Sequence, residues 1–219
     1  FQQLPSIADQ VKEHKSYVID KSCTLTAHGR KYRRDRQGFL GAILSMMFKD
    51  RKLYKDRMIE AKKKYEETKD VVYKNDIAKY NNLQLAKKIF LNSIYGALAN
   101  PYFRWYNNGN AEAVTSTGQL VIQYLERDIN AFLNKFCKSI DVDYVIAIDT
   151  DSIMLNLGPL TEKLNITDLK KLSRVLDQFC KDKLQPVIEA TLVDFCDKYN
   201  AFANELHMKR ENICNKGIF

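Results

Sequence analysis

Two aspartates follow an apolar segment, where Val142-Asp-Tyr-Val-Ile-Ala-Ile148 runs directly into Asp149-Thr150-Asp151-Ser152. The short run of β-branched and aromatic residues predicts a strand, and the apolar residues 153–157 predict its hairpin partner. Side chains two residues apart on a strand point to one side, so the two carboxylates would repel each other unless a cation lay near them. Magnesium fits because it takes a few carboxylates together with water and substrate phosphates. Asp-x-Asp alone is a weak pattern, since many surface turns contain it.

A second set of residues could bind a nucleotide. Lys88, Asn92, Tyr95 and Gly96 are spaced four, three and one apart, so on a helix they share a face. That face offers an ammonium group for phosphate, an amide, an aromatic ring and a gap without a side chain. A ring beside a glycine would form a flat surface for a base pair. The alternative is a basic amphipathic helix with a tyrosine at its buried end.

Arg51 and Lys55, also four residues apart, supply two more cations. Arginine can hold phosphate oxygens through two hydrogen bonds, whereas lysine acts as a point charge. If their helix lies antiparallel to the one that carries Lys88, the three residues would form a cradle for a triphosphate. A solvated helix face is the alternative for each of them.

The apolar spacing predicts the elements that carry these residues. A helix is expected from Leu40 to about Glu67, a break at 68–70, and a second helix over 71–98, ended by Asn100-Pro101. So short a connection predicts an antiparallel helical hairpin. Residues 1–39 carry a basic run at 30–36 and show no clear pattern.

Further helices are expected after the hairpin. One spans about 111–137, and another begins at Asn165 or Thr167, is interrupted or kinked at Pro186 and resumes to about Tyr199. The tail from 206 to 219 is predicted as a strand. The expected fold class is α+β, with a long antiparallel helical hairpin attached to an antiparallel sheet packed on helices.

Composition limits the class of partner. Lys and Arg total 35 against 27 Asp and Glu, which gives a net charge of +8 and favours polyanions such as nucleic acid. The cysteines are odd in number, form no CxxC pair and lack histidines at ligand spacing, which predicts reduced thiols in an intracellular protein without structural zinc; they are Cys23, Cys137, Cys180, Cys196 and Cys214. No apolar run is long enough to span a membrane.

At these positions the chain resembles the family B DNA polymerases, above all the replicative enzymes of tailed bacteriophages. Lys88-x-x-x-Asn92-Ser93-x-Tyr95-Gly96 is similar to their fingers motif B, and Asp149-Thr150-Asp151-Ser152 to their palm motif C. Arg51-Lys52-x-x-Lys55 resembles their triphosphate-binding segment. The likeness spans roughly residues 32–157, including the stretch between the two motifs, with fainter agreement at 208–211.

The resemblance implies a role for each matching residue in template-directed DNA synthesis, in which a primer 3′-hydroxyl attacks a dNTP and releases pyrophosphate. Asp151 would be the principal motif C ligand of Mg²⁺ in a two-metal site, with Asp149 assisting, and these two with Lys88 form the catalytic set. The nucleotide-binding set would be Arg51, Lys55, Lys88, Asn92, Tyr95 and Gly96. Thr150 and Glu211 are weaker candidates for the same site.

The chain departs from the family pattern at three points. Ile148 stands where the family usually has glycine before the first motif C aspartate. The motif A segment Asp-x-x-Ser-Leu-Tyr-Pro, which supplies the other essential aspartate, is absent. The family's lysine-rich strand, thumb and exonuclease are absent as well. The chain is therefore expected to be a fragment or a split subunit that is inactive alone.

The resemblance predicts an N-terminal palm segment over 1–39, fingers over 40–100, and a palm with the metal-binding hairpin over 101–219. Expected partners are primer-template DNA, dNTP, the remaining polymerase segments and a sliding clamp, with no membrane. The expected location is the cytoplasm, that of the host cell for a phage protein. Two other functions are compatible with the residues alone, an Asp-x-Asp glycosyltransferase and a non-catalytic basic nucleic-acid-binding module.

Overall fold

The computed structural model describes residues 1–149, 151–164, 166 and 168–215 of the chain. Within them the fold is α+β, as predicted, with long helices and two antiparallel two-stranded sheets. The helices are α1 (Ile7–Glu13), α2 (Phe39–Thr68), α3 (Val71–Leu98), α4 (Asn108–Cys137), α5 (Gly158–Leu164), α6 (Leu169–Phe179) and α7 (Gln185–Lys198). The strands are β1 (Cys23–Leu25), β2 (Lys31–Arg33), β3 (Val145–Asp149) and β4 (Ser152–Leu155).

The chain divides into two compact units. Residues 35–114 form one, which contains α2, α3 and the start of α4; residues 1–34 and 115–219 form the other, which contains both sheets. The first unit is thus inserted into the sequence of the second.

The α2–α3 connection is as short as the sequence predicted. Lys69 adopts the left-handed conformation at φ 57° and its N–H donates to the carbonyl of Tyr65, which ends α2. The side chain of Asp70 then accepts a hydrogen bond from the N–H of Val72 at 2.9 Å, which caps α3. The two helices run antiparallel, because Lys87 bonds to Asp50 near one end of the hairpin while Lys64 lies over the ring of Tyr73 near the other.

A coiled-coil pattern explains why this hairpin holds together. On each helix the less exposed residues include a series spaced alternately by four and three, which is the heptad spacing of a helix–helix seam. On α2 they are Leu40, Leu44, Met47, Arg51, Tyr54, Met58, Ala61 and Tyr65; on α3 they are Tyr73, Ile77, Tyr80, Gln84, Lys87, Leu91, Ile94 and Leu98. Arg51, Gln84 and Lys87 interrupt the apolar seam with polar groups.

The other unit has two cores. One packs α4, α6 and α7 against the β3–β4 hairpin, through buried residues such as Ile129, Leu133, Tyr144 and Leu176. The second joins the N-terminal segment to α4 and α7 through Leu25, Ala27, Leu120, Tyr124, Phe195 and Tyr199. Gln10 is fully buried there, and its amide donates to the carbonyls of Pro5 and Ala27 while its oxygen accepts from the Tyr199 hydroxyl. This satisfied amide ties α1 to the core.

The C-terminal helices match the sequence analysis in part. The helix is interrupted as predicted, but before Pro186 and not at it: Cys180–Leu184 is a π-helical turn, the N–H of Gln185 bonds to the carbonyl of Cys180, and Pro186 lies in the first turn of α7. Proline lacks the N–H that a regular α-helix needs there, which explains the irregular turn. Asp168 caps α6 by accepting from the N–H groups of Lys170 and Lys171. The predicted caps Asn165 and Thr167 lie outside the described residues.

The strand predicted for the tail is wrong over its described part, because residues 206–215 contain neither helix nor strand. A strand needs a backbone neighbour, and this segment is held instead by side chains. Met208 and Ile213 pack on the main core, and the carbonyl of Met208 accepts a hydrogen bond from Gln185 at 3.0 Å. Residues 216–219 lie outside the described part of the chain.

All five cysteines are free thiols, in agreement with the predicted reduced state, and three of them are buried. No helix among the described residues combines the length and apolar character needed to cross a membrane.

Candidate active site

The acidic pair lies at the tip of the β3–β4 hairpin. Asp149 ends β3 and pairs with Ser152, the first residue of β4, so the turn consists of two residues. Asp151 therefore belongs to the turn and not to the strand. The strand alternation that the sequence analysis used to place both carboxylates on one side does not extend to it. Thr150 lies outside the described residues.

The tight turn itself keeps the two aspartates close. The N–H of Asp151 donates to the carbonyl of Asp149, and the Ser152 hydroxyl donates to the same carbonyl at 3.2 Å. Both aspartates are exposed. No group of three or more potential metal ligands occurs among the described residues. Two accessible carboxylates suit magnesium, which completes its coordination with water and phosphate, and do not suit a metal that needs an all-protein cage.

A β-bulge lies just before the acidic tip. Val145 pairs with Leu155 and Ala147 with Met154, so β3 contains one more residue than β4 between these pairs. Bulges change the direction and twist of a strand. Ile148, which stands where the resemblance leads one to expect glycine, pairs with Ile153 and is about one third exposed.

Two asparagines that the sequence analysis did not single out hold the base of β3. The side-chain oxygen of Asn130 on α4 accepts from the N–H groups of Tyr144 and Val145 at 2.9 and 3.2 Å, and its amide donates to Asp143 at 2.8 Å. Tyr144 and Val145 are both buried. Burial and the Asp143 carboxylate also raise the pKa of Glu126, one turn earlier on α4. The base of the hairpin is thus polar and partly buried.

Asn134, one helical turn after Asn130, holds the preceding loop. Its amide donates to the carbonyl of Val142 at 2.7 Å, and its oxygen accepts from the N–H of Val142 at 2.9 Å and from Ser139 at 2.8 Å. The only sequence signal for these contacts is a pair of asparagines, Asn130 and Asn134, four residues apart on a predicted helix. Side-chain amides without a periodic pattern do not stand out among surface residues.

The candidate phosphate-binding cations lie on the helical hairpin. Lys55 and Lys88 are exposed, whereas Arg51 lies on the seam side of α2 and is partly buried. The ion pair between Asp50 and Lys87, with N–O distance 2.9 Å, shows that Arg51 and Lys88 occupy the same level of the hairpin, since each is adjacent in sequence to one member of the pair. Lys55 lies one turn closer to the hairpin tip.

Arg51 carries an unused donor. Its Nε is buried and has no hydrogen-bond partner among the described residues. A buried donor without a partner is costly unless a ligand supplies the acceptor. Phosphate oxygens are suitable acceptors for a guanidinium group. The position of Arg51 is thus compatible with the predicted anion site.

Asn92, Tyr95 and Gly96 follow Lys88 on the last three turns of α3, and all are exposed. Tyr95 is 41% exposed, which disagrees with the alternative of a tyrosine at the buried end of an amphipathic helix. Apart from its own helix backbone and its chain neighbours, no atom of the described residues lies within 4 Å of the position that a Cβ would take at Gly96, so the surface beside the ring is open. A flat group could approach there.

Glu211 lies on the exposed tail segment of the other unit. With Ser173, Arg174, Asp177 and Arg210 it lines an open cavity of about 270 Å³. Arg210 forms an ion pair with Asp177. A hydrogen bond from Lys181, and then the positive charges of Arg210 and Lys181, lower the pKa of the Asp177 carboxyl. The role expected of Glu211 stays a prediction.

Residues 2–218 match the sequence model of DNA polymerase family B. The chain is 40% identical to the DNA-directed DNA polymerase of Enterobacteria phage T4 over 136 residues, which cover 61% of this chain and 15% of that protein. It is 27% identical to the DNA-directed DNA polymerase of Escherichia phage RB69 over 240 aligned positions, covering 87% of this chain and 27% of that protein. DNA polymerase 1 of Pyrococcus abyssi is 31% identical over 57% of this chain and 14% of its own length. This chain therefore spans about a quarter or less of the length of each of these relatives.

Proposed function

Because this chain belongs to DNA polymerase family B, we propose that it supplies the nucleotide-binding and part of the metal-binding machinery of a DNA-directed DNA polymerase. The match over residues 2–218 is the observation that carries the proposal. The reaction is nucleotidyl transfer, in which the primer 3′-hydroxyl attacks the α-phosphate of a dNTP and pyrophosphate leaves. Primer-template DNA and dNTP are its substrates.

Asp149 and Asp151 hold Mg²⁺ in this proposal, with Asp151 as the principal ligand. When bound, magnesium supplies a lower pKa for the attacking hydroxyl and neutralises charge on the leaving pyrophosphate. Support comes from the exposure of Asp149 and Asp151 at the tip of the hairpin, which leaves room for water and phosphate around the carboxylates. Thr150 and Glu211 are additional candidates near this chemistry.

Arg51, Lys55 and Lys88 bind the triphosphate of the incoming nucleotide. Their shared position on one stretch of the helical hairpin and the unpaired Nε of Arg51 support this role. Asn92 hydrogen-bonds beside them, and the exposed ring of Tyr95 with the open surface at Gly96 contacts the nascent base pair. Catalysis by such groups consists of positioning and electrostatic stabilisation of the transferred phosphoryl group.

The domain names follow from the same proposal. Residues 40–100 are fingers, and residues 1–39 and 101–219 belong to the palm. We place the assembled enzyme in the cytoplasm, and its partners include the segments that carry motif A, the exonuclease and the thumb, as well as a sliding clamp.

The 219 residues by themselves are proposed to be inactive. A two-metal site needs more acidic ligands than Asp149 and Asp151, and the described residues contain no larger group of potential ligands. Purified polypeptide with magnesium, primer-template and all four dNTPs should give no extended primer. Any metal-dependent extension would overturn this part of the proposal.

The two alternatives have less support. A nucleotide-sugar glycosyltransferase would show alternating strands and helices before its Asp-x-Asp, whereas the residues before β3 form long helices and two strands of three residues. A non-catalytic nucleic-acid-binding module would give no role to two aspartates on an exposed tight turn. The family match favours the polymerase over both.

The decisive experiment replaces Asp151 in the complete polymerase that carries this sequence. Asp151→Ala should lower nucleotide incorporation by about a hundredfold or more, while primer-template affinity stays near that of the wild type. Asp197→Ala, which removes an exposed aspartate from α7 of the same unit, is the control and should leave both quantities unchanged. Incorporation by Asp151→Ala at the wild-type rate would refute the proposal.

A further inference from the structure

The two aspartates lie at the tip of a hairpin whose base is held by side-chain amides from α4. Asn130 forms three hydrogen bonds to residues 143–145, and Asn134 forms two to Val142. Asn134 also accepts a hydrogen bond from Ser139. The two side chains lie on one face of α4. We name this pair the amide clamp. The β3–β4 ladder and the hydrophobic core also support the strand.

The amide clamp contacts the residues at the start of β3, whereas Asp149 is the last residue of β3 and Asp151 lies in the turn that follows it. From Val145 to Asp149 the strand extends for about 13 Å. Because β3 contains a bulge between Val145 and Ala147, its direction depends on where its first residues are anchored. A shift at the base is therefore transmitted along the strand to the tip.

The surroundings of the clamp make its geometry hard to replace. Tyr144 is buried and its N–H donates to Asn130, so losing Asn130 would leave this donor without its acceptor, whereas the Val145 N–H would keep its second acceptor, the Asp143 carboxylate, at 3.1 Å. The Tyr144 ring is also fixed at its far end, where its hydroxyl lies 2.9 Å from that of Ser139, and Ser139 in turn donates to Asn134. Both amides and the ring thus form one connected hydrogen-bonded group.

We propose that Asn130, supported by Asn134, is a positioning residue for the metal site, which sets the place of Asp149 and Asp151 through the base of β3. The inference rests on the proposed function of these aspartates. Asn130 touches neither metal nor nucleotide, and it acts only through the strand. Residues that orient metal ligands commonly change metal affinity by about 10- to 100-fold when they are replaced.

The first test measures the magnesium dependence of incorporation in the complete polymerase. Asn130→Ala should raise the magnesium concentration for half-maximal incorporation by about tenfold, with the KM for dNTP at saturating magnesium changed by less than about twofold. Gln178→Ala is the matched control, since it also removes one side-chain amide hydrogen bond, that to Asp182 on the exposed side of the same unit. A half-saturating magnesium concentration equal to that of the wild type in folded Asn130→Ala would overturn the inference.

A second measurement does not use activity. In the metal-free protein, hydrogen exchange of residues 143–149 should be faster in Asn130→Ala than in the wild type, while exchange within α4 stays unchanged. Unchanged protection of the strand would show that the clamp does not hold it, and would count against the inference.

If Asn130→Ala fails to fold, exchanging the amide of Asn130 and the carboxylate of Asp143 provides a second test. In the wild type the amide of Asn130 donates to the carboxylate of Asp143 at 2.8 Å. Asn130→Asp replaces this donor by a second carboxylate, which repels Asp143, and should therefore raise the magnesium concentration that incorporation requires. Adding Asp143→Asn restores one donor and one acceptor to the pair. The Val145 N–H, which donates to both side chains in the wild type, keeps the oxygen of residue 130 as its acceptor, so the requirement should return toward the wild-type value. A single variant with normal magnesium dependence, or a folded double variant without recovery, would refute the positioning role.

The two proposals fail in different ways. If Asp151→Ala incorporates nucleotide normally, the proposed function fails whatever the Asn130 variants do. If Asp151→Ala is inactive while Asn130→Ala keeps normal magnesium dependence and strand protection, only the positioning role fails.

Discussion

Lys87 and Lys88 are neighbours in the sequence with different surroundings. Lys87 points into the seam of the hairpin, where its ammonium group bonds to Asp50 and lies 3.1 Å from the sulfur of Met47, whereas Lys88 is exposed. A helix turns by about 100° per residue, so adjacent positions face different sides. The structural lysine and the candidate phosphate ligand are thereby separated.

Lys88→Ala in the complete polymerase should raise the apparent KM for dNTP by about ten- to a hundredfold, the usual range for a lost hydrogen bond to a charged group. DNA affinity should change little. Steady-state incorporation at varied dNTP concentration measures the effect, with Lys74→Ala, an exposed lysine on the same helix, as the control. An unchanged KM in Lys88→Ala would contradict the phosphate role.

Gly29 is a second residue whose type is dictated by its surroundings. It adopts φ +89°, and a Cβ there would lie 1.7 Å from the carbonyl oxygen of Gln2. Gly29→Ala should therefore lower the free energy of unfolding by about 2–4 kcal/mol. Denaturant unfolding measures this, and Gly118→Ala, at an open position within α4, should be neutral or stabilising. Equal effects of the two substitutions would contradict the steric argument.

At the scale of elements, the α2–α3 hairpin depends on the shape of its seam. Ala61 is 5% exposed there, and the seam on both helices also carries larger aromatic residues. Its small side chain allows the two backbones to approach closely at this level. The polar residues Arg51, Gln84 and Lys87 occupy the seam farther from the tip.

Ala61→Leu should destabilise the hairpin by about 1–3 kcal/mol, because added methyl groups in a packed seam must displace their neighbours. Ala78→Leu adds the same atoms to an exposed position on α3 and should have almost no effect. Protection of the hairpin amides from hydrogen exchange distinguishes the two variants. Similar protection in both would show that the seam at Ala61 is not tightly packed.

The long helices were predictable because a regular apolar spacing continues through each of them. The strand hairpin was predictable because two apolar runs flank a short polar turn. β1 and β2 were not found because each has only three residues, which is too short for an alternation to show. The tail from 206 to 219 was predicted as a strand, but apolar side chains such as Met208 and Ile213 can equally pack on a core without any strand neighbour.

The candidate site was predictable by residue type more than by geometry. The Asp149 and Asp151 pair was found from sequence, yet its closeness comes from a tight turn and not from strand alternation. Asn130 was missed because its bonds reach residues 13 to 15 positions away, and no local pattern encodes such a contact. The partial burial of Arg51 depends on the packing of a second helix.

At the scale of the whole molecule, one histidine links the N-terminal helix to the last helix. Nε2 of His14 lies 2.6 Å from the ammonium group of Lys198, 3.2 Å from Arg127 and 2.8 Å from Asp194. Burial, then the charges of Arg127 and Lys198, lower the pKa of His14, and the opposing effects of Asp194 and Asp128 do not restore it. The folded protein therefore favours the neutral imidazole.

Stability should consequently fall as the pH decreases below about 6.5, the ordinary pKa of histidine. Over the range between that value and the lowered pKa, the unfolded chain binds a proton that the folded chain does not, which favours unfolding. Denaturant unfolding from about pH 7.5 to about pH 5 measures the slope, and His14→Gln should reduce it. An identical slope in the variant would assign the pH dependence to other groups.

Residues 35–114 are inserted into the sequence of the other unit, and the seam of their helical hairpin has an alternating four-and-three spacing. Together these features limit how the length of the hairpin can differ between related chains. Removing about seven residues from each arm, for example 58–64 together with 74–80, brings equivalent seam positions back opposite each other and leaves both junctions with the larger unit intact. Removing about three or four would rotate one arm away from its partner. Natural length variation in this region should therefore occur in matched steps of a heptad.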